Sequence, residues 1–410
     1  MKSFIVRSIA AFAASSTALL AANTSFAIGE SVAGFPNYDE RVLHMLANRA
    51  RVAPEIETTA CGANCPDAAC YTAKGPLYYK RELNHAARFH AAHMSKNKYF
   101  AHTSSCTIVP DIGTLYPDSC DGSAACACVG GMNACNAKCT GFSERIGLFG
   151  SDGGGEIIAS TGQGAEHGFY LWLYEPTASA KCEFSSENGH RWLLLTADGA
   201  IGFGSDGKYV GDFGSGGEEH PIASGSHWPR QADTVETWAS WFAPEGPKSA
   251  LVNVDGSCSP MKLSRGTIEN GAYEADITGV GQGCHRYFFV FKDAAGALVT
   301  FPETGSLGIG PADTCADFSA ERPATGAGCE CVPQCDGKQC GDDSCGGSCG
   351  TCGEGASCSA ALQCVTPDAA DDASCGCAVP GDSGKSGAAA ALALLGLVFG
   401  RRSRLRSRTL

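Results

Sequence analysis

Cations are scarce in this chain of 410 residues: 30 Lys and Arg against 43 Asp and Glu leave a formal net charge of -13. Binding phosphate needs a basic face, so nucleic acid is excluded as a partner. The one dense basic run is the tail, Arg401 to Arg408. Long apolar runs are scarce too. Gly387 to Gly400 spans fourteen residues, short of the about 20 that a membrane-crossing helix needs. Two catalytic signatures are missing in working form as well: no His-Glu-x-x-His helix occurs, and the Gly-x-Ser-x-Gly pattern at Gly346 to Gly350 falls in a cysteine-rich run rather than at an elbow between a strand and a helix. The chain thus offers no ready-made nucleophile.

What is abundant is cysteine, 24 in all. A reduced cytosol rarely tolerates so many, so they imply an oxidising compartment and a disulfide framework, ahead of a zinc-cluster reading of the same residues. The N-terminus agrees with export. Lys2 and Arg7 precede an apolar, alanine-rich stretch through Ala22, and Ser25-Phe26-Ala27 offers a small-x-small cleavage site, so residues 1–27 read as a signal peptide. A length of 410 then suggests two to three folded units.

From Asp39 the apolar positions Val42, Leu43, Leu46 and Ala50 recur at helical spacing, which predicts an amphipathic helix ended by Pro54. Leu83, Ala86, Ala87, His90 and Met94 predict a second, stopping at Asn97 and delivering Tyr99-Phe100-Ala101-His102. Residues 106–139 carry six cysteines without helical or strand period and read as an inserted, disulfide-tied loop. Glu156 to Ala159 begins an ordered segment, Phe169, Trp172 and Leu173 suggest a third helix closed by Pro176, and Trp192 to Leu195 leads into runs at 200–204 and 209–213. Asp206-Gly207 between those runs marks a strand pair with a turn. Helices first and antiparallel strands last imply an α+β unit.

Gly214 to Pro221 reads as a linker. Residues 221–312 alternate apolar and polar side chains in short runs, which predicts a small β-sandwich, immunoglobulin-like in a broad sense, with Cys258 and Cys284 as an internal pair. Residues 315–364 hold too few apolar side chains for a core, so cross-links must stabilise them. The stretch Cys340 to Cys352 resembles knottin-like, EGF-like cysteine modules, and Cys349-x-x-Cys352 reads as structural disulfide rather than zinc or redox chemistry.

Two histidines set far apart, His102 and His190, with Glu156 and Glu175 between them, form the constellation that could do chemistry. Neutral imidazoles offer lone pairs to a divalent cation such as zinc, and nearby carboxylates fix their tautomers. The bland alternative is a buried hydrogen-bonded network that holds a cleft together. His90, on the apolar stripe, reads as a packed core residue, and His220 and His227 carry no assigned role.

Pro76-Leu77 leading into Leu83, Ala87, His90 and Met94, then Phe100-Ala101-His102, Gly155 to Ala159, Trp172 to Glu175 and Gly189-His190-Arg191, resemble in order and spacing the CAP superfamily of cysteine-rich secretory, antigen 5 and pathogenesis-related proteins. The resemblance covers residues 36–215. It implies an α-β-α sandwich with a cleft lined by two histidines and two glutamates, here His102, His190, Glu175 and Glu156, with Glu144 competing for the place of Glu156. Residues 365–410 form an acidic spacer, Cys375-Gly376-Cys377, the short apolar run and the arginine tail. That layout is similar to the MYXO-CTERM sorting signal of myxobacteria, with Cys377 as the key cysteine, and implies cleavage and display on the cell surface. The expectation is a secreted, envelope-anchored protein that meets the membrane only through this signal. Its cleft would take a divalent metal or another extracellular or envelope ligand, without established catalysis. A metal-assisted hydrolase and a sterol or lipid carrier are the alternatives.

Overall fold

A computed structural model describes residues 27–129 and 138–324, with 329, 335, 337–341, 348–353, 355–359 and 361–366 beyond them. The expected leader, apart from Ala27, and the sorting signal with Cys377 lie outside the described residues. Through Val365 the chain forms one compact unit.

Helix α1 (Tyr38–Val52) starts in a capping box: the Asn37 side chain accepts from the Glu40 N–H, and the Glu40 carboxylate accepts from the Asn37 N–H. A short helix α2 (Pro54–Thr58) follows. The spacing of Val42, Leu43, Leu46 and Ala50 predicts one buried face, yet every residue of α1 except Asp39 is buried. Its polar side is covered because it faces partners that arrive much later in the chain. Asn48 Nδ2 donates to Ser224 Oγ at 3.1 Å, Tyr38 Oη to the His227 carbonyl at 3.1 Å, and Arg41 Nη2 to the Asp317 carbonyl at 3.0 Å.

Strand β1 (Tyr78–Tyr79) leads into α3 (Arg81–Asn97). The cysteine-rich insertion, expected as a disulfide-tied loop without regular structure, has its own small architecture. Strands β2 (Thr107–Ile108) and β3 (Cys128–Val129) pair around the short helices α4 (Ile112–Leu115) and α5 (Ala124–Ala127). Ile108, Ile112, Tyr116 and Ala127 pack on Leu83 and Phe89 of α3, and Cys106–Cys128 and Cys120–Cys126 are disulfides. These apolar residues show no period because the turns between them are only a few residues long.

After α6 (Phe142–Leu148) come β4 (Gly155–Ala159), α7 (Ala165–Leu173), α8 (Gly189–Thr196), β5 (Ala200–Ser205) and β6 (Tyr209–Gly214). Trp192 to Leu195 therefore belong to a helix, not to the strand run that follows them. The sheet order is β1-β5-β6-β4, with β1 parallel to β5 and the other pairs antiparallel. Alternation along the strands sends Ile157, Phe203 and Phe213 into one core with α1, α7 and α8, whereas Ile158 and Val210 face Ala87, Ala91 and Met94 of α3. Helix α3 lies close to β5 because Gly202 and Gly204 carry no side chain. A Cβ at Gly202 would run into the Asn84 nitrogen, and one at Gly204 into the Ala87 carbonyl carbon.

The stretch expected as a linker is docked: Glu218 N–H donates to the Tyr79 carbonyl at 2.8 Å. Beyond it two antiparallel sheets face each other. One holds β7 (Ile222–Trp228), β8 (Thr234–Phe242), β11 (Lys262–Gly266) and β12 (Asn270–Thr278) in the order β11-β12-β8-β7. The other is built on β9 (Ser249–Val254), β10 (Ser257–Pro260), β13 (His285–Lys292), β14 (Leu298–Phe301), β15 (Ser306–Ile309) and β16 (Phe318–Ser319). Trp241, Val252, Phe289, Phe291 and Leu307 meet between them. On the opposite face of β8, Trp238 joins the core of α1, with the Arg49 guanidinium 4.7 Å from its ring centre.

The expected Cys258–Cys284 pair is not formed; the disulfides are Cys258–Cys329 and Cys284–Cys315. Cys258 lies on β10 and Cys284 just ahead of β13, with β9 between those strands. Two strand spacings come to roughly 9.6 Å, beyond the reach of a disulfide. In the last module Cys335–Cys349, Cys340–Cys358 and Cys352–Cys364 are joined around the pair β17 (Ser357–Cys358) and β18 (Cys364–Val365). Cys349 and Cys352 thus serve separate structural bridges. Among the described residues no helix is long and apolar enough to cross a membrane.

Candidate functional site

Helix α3 is capped by Lys98, whose left-handed backbone (φ 56°) turns the chain back so that Tyr99 N–H reaches the Met94 carbonyl at 3.1 Å. The segment after it is held from below by His90. Burial holds this imidazole well below the usual histidine range, with Arg145 adding to the effect, so it is neutral. It bonds the Ala101 carbonyl through Nε2 at 2.8 Å and Ser104 Oγ through Nδ1 at 3.1 Å. A neutral ring serves both if Nε2–H donates to the carbonyl and Nδ1 accepts from the hydroxyl. His90, a core residue by its place on the apolar stripe, therefore also sets the position of His102.

His102 is 48% exposed at its side chain, while its partner Glu156 is fully buried; Nδ1 and Oε1 are 2.8 Å apart. Glu156 projects from β4 onto the α3 face of the sheet. Its other oxygen takes a close ion pair from Arg145 Nη2, itself fully buried on α6. Arg145 Nη1 donates to Ser104 Oγ at 2.9 Å and to the His102 carbonyl at 3.2 Å. The guanidinium thus neutralises the buried carboxylate and pins the histidine's backbone. Glu144, the competing match, lies exposed in the first turn of α6.

Asp212 stands opposite Glu156 in the β4–β6 register and is completely buried. Among the described residues neither of its oxygens meets an N–H or O–H donor. Burial, then the negative charge of Glu156, pushes this carboxyl well above the usual range, so it is held protonated beside Glu156.

The second pair is built at the start of α8. Glu175 Oε1 lies 3.0 Å from His190 Nδ1, and Oε2 accepts the His190 backbone N–H at 3.0 Å. One carboxylate therefore caps the helix and orients the ring. Arg191, fully buried, fixes this corner by donating to the Leu173 and Glu175 carbonyls at 2.9 and 2.6 Å and by pairing with Asp67 at 2.8 Å. The Cys70–Cys182 disulfide closes a loop of 112 residues around it. Both pairs flank the same edge strand, because Leu193 of α8 packs where a side chain at Gly155, next to Glu156, would stand.

His102 and His190 thus share one design. Each Nδ1 faces a glutamate, which leaves each Nε2 without a hydrogen bond among the described residues. The sequence reading missed Arg145, Asp212 and the Asp67–Arg191 pair. Asp212 did leave a trace: in Tyr209-Val210-Gly211-Asp212-Phe213 it is a charge at a period-two position shared with buried Val210.

Two other groups have the composition to hold a metal ion, His93 with Cys106 and Cys128, and Cys340 with Cys352 and Cys364. His93 Nε2 lies 3.4 Å from each of its two sulfurs. In both groups the sulfurs are engaged in disulfides, so thiolate ligands would exist only after reduction. No protein-family model, curated protein or solved structure matches the chain.

Proposed function

We propose that this is a secreted, surface-anchored protein of the CAP type whose His102/His190 cleft binds a divalent metal such as zinc. One observation carries the reading: both histidines place Nδ1 against a glutamate, and among the described residues neither Nε2 meets a hydrogen-bond partner. A carboxylate on one ring nitrogen fixes the tautomer and raises the basicity of the other, which is how metal-ligating imidazoles are supported. Helices on both faces of the β1-β5-β6-β4 sheet support the α-β-α sandwich that the resemblance implies. Neither histidine belongs to a group of three or more donors among the described residues. The cation would therefore be held by two imidazoles, with water or a ligand group completing its shell, which suits a weak, open site. Glu156 and Glu175 would orient the rings and balance the charge. The leader and the sorting tail supply the reading of an envelope address.

Zinc titration of the intact, oxidised protein followed by calorimetry tests this. Wild type binds one ion; His102→Ala and His190→Ala each abolish that binding, and Glu175→Gln weakens it about 10- to 100-fold. Equal zinc affinity in wild type and both alanine variants would remove the metal site and leave the hydrogen-bonded network as its whole role.

A further inference from the structure

The segment that follows Ala27 is ordered from its first residue. Ile28 packs against the sandwich core, its carbonyl accepts the Glu303 N–H at 2.7 Å, and its own nitrogen lies 3.1 Å from Glu303 Oε2. Gly29 follows with φ 82°, and a Cβ there would stand 2.7 Å from the Phe301 ring and 2.9 Å from Pro302 Cα. Only glycine allows this approach, so the chain is pressed onto the loop that carries Glu303. Farther on, Val32 and Phe35 exchange backbone hydrogen bonds at 2.7 and 2.9 Å, and the Phe35 ring enters the core beside α3.

The charges around this anchor do not balance. Glu30 and Glu303 face each other, and burial together with the charge of Glu303 raises the Glu30 carboxyl. Arg322 lies near Glu30, but its donors go to neutral acceptors: Nε to the Gly305 carbonyl at 2.7 Å, Nη1 to Thr300 Oγ1 at 3.2 Å and Nη2 to the Pro302 carbonyl at 2.6 Å. Burial lowers the pKa of His220, a basic group that senses Glu303. In an uncut chain the Ile28 nitrogen is a neutral amide that gives Glu303 one hydrogen bond and no charge.

We propose that the Ala27–Ile28 peptide bond is the processing site of this protein and that the freed Ile28 ammonium docks on Glu303 as its counter-charge. This rests on the reading of residues 1–27 as a leader and is independent of the proposed metal site. The reaction is hydrolysis by a leader-cleaving protease: water adds across the bond, Ala27 leaves as a carboxylate, and Ile28 keeps its nitrogen and gains a proton from solvent. Cleavage gives up the contact from Glu30 N–H to the Ala27 carbonyl at 3.3 Å. It turns a neutral hydrogen bond to Glu303 into a charge-assisted one, the stronger kind. Because Glu303 is exposed, solvent screens the gain.

Terminal sequencing of the exported protein should begin at Ile28. The α-amino group, titrated by reductive methylation read by mass spectrometry, should have a pKa about half a pH unit higher in wild type than in Glu303→Gln. In a chain that starts one residue earlier, at Ala27, this difference should vanish, since the amino group no longer reaches the carboxylate. A terminus at any other residue, or an α-amino titration that is the same in wild type and in Glu303→Gln, would overturn the proposal.

Discussion

Arg145 shows what a single side chain can decide. It is a cation sealed from water with one carboxylate to answer it, and removing one partner of a buried pair leaves the other charge uncompensated. We therefore expect Glu156→Gln to cost about 3–5 kcal/mol in urea unfolding, whatever its effect on metal binding. A loss under about 1 kcal/mol would mean that Arg145 finds another counter-charge. Spacing alone left Glu156 and Glu144 as rivals because the cysteine-rich insertion lengthens the chain between His102 and both of them. Burial separates them: one glutamate points into the sheet face beside Arg145, the other into solvent. The histidines at 102 and 190 and the glutamates facing them stood out in the sequence, but Arg145, Asp212 and the Asp67–Arg191 pair behind them did not. An arginine or aspartate in a sequence carries no mark of whether it will be buried.

At the scale of elements, helix α3 and strand β5 depend on the two glycines between them. Substituting Gly202→Ala would drive a methyl group into the α3 backbone rather than into a movable side chain. Overpacking usually costs about 1–3 kcal/mol, and with backbone as the obstacle we expect at least the top of that range. The same urea measurement on Gly202→Ala checks it, and a near-neutral result would show that α3 can slide away from the sheet. Helices α1 and α3 and the β5–β6 pair were legible because their apolar residues keep period over two or more turns or a whole strand. The insertion was not, since α4 and α5 are single turns. Cysteine partners were not legible either: Cys258 chooses Cys329 over Cys284 because of which strand lies between, and strand order is a long-range property.

Over the whole molecule, the seam between the helical layer and the sandwich replaces the linker expected at Gly214 to Pro221. His227 sits in that seam, bonded to Tyr287 Oη at 2.8 Å and to the Arg230 carbonyl at 3.1 Å. Burial pulls its pKa down to about 3, with Arg41 and Arg230 adding to the effect. The folded protein thus keeps this ring neutral where the unfolded chain would protonate it near pH 6.5. Its contribution to stability is complete above that pH and is lost as pH falls toward about 3, at about 1.4 kcal/mol per pH unit. In His227→Gln the urea midpoint should change less between pH 7 and pH 5 than in wild type. Equal slopes would show that the ring escapes burial before the fold opens. The enclosure of α1 has a consequence for synthesis. The Tyr38 N–H donates to the Asp317 carboxylate at 2.7 Å, 279 residues further along. At roughly 5–20 residues per second the ribosome delivers that partner about 15–55 s after the helix itself. Arg49 meets Glu57 and Arg51 meets the Gly75 carbonyl soon after the helix is made. For that interval, however, Tyr38 and Arg41 lack the Asp317 partner they have in the finished fold, so the molecule cannot mature wholly unit by unit as it emerges. Its earliest segment is among the last to be satisfied.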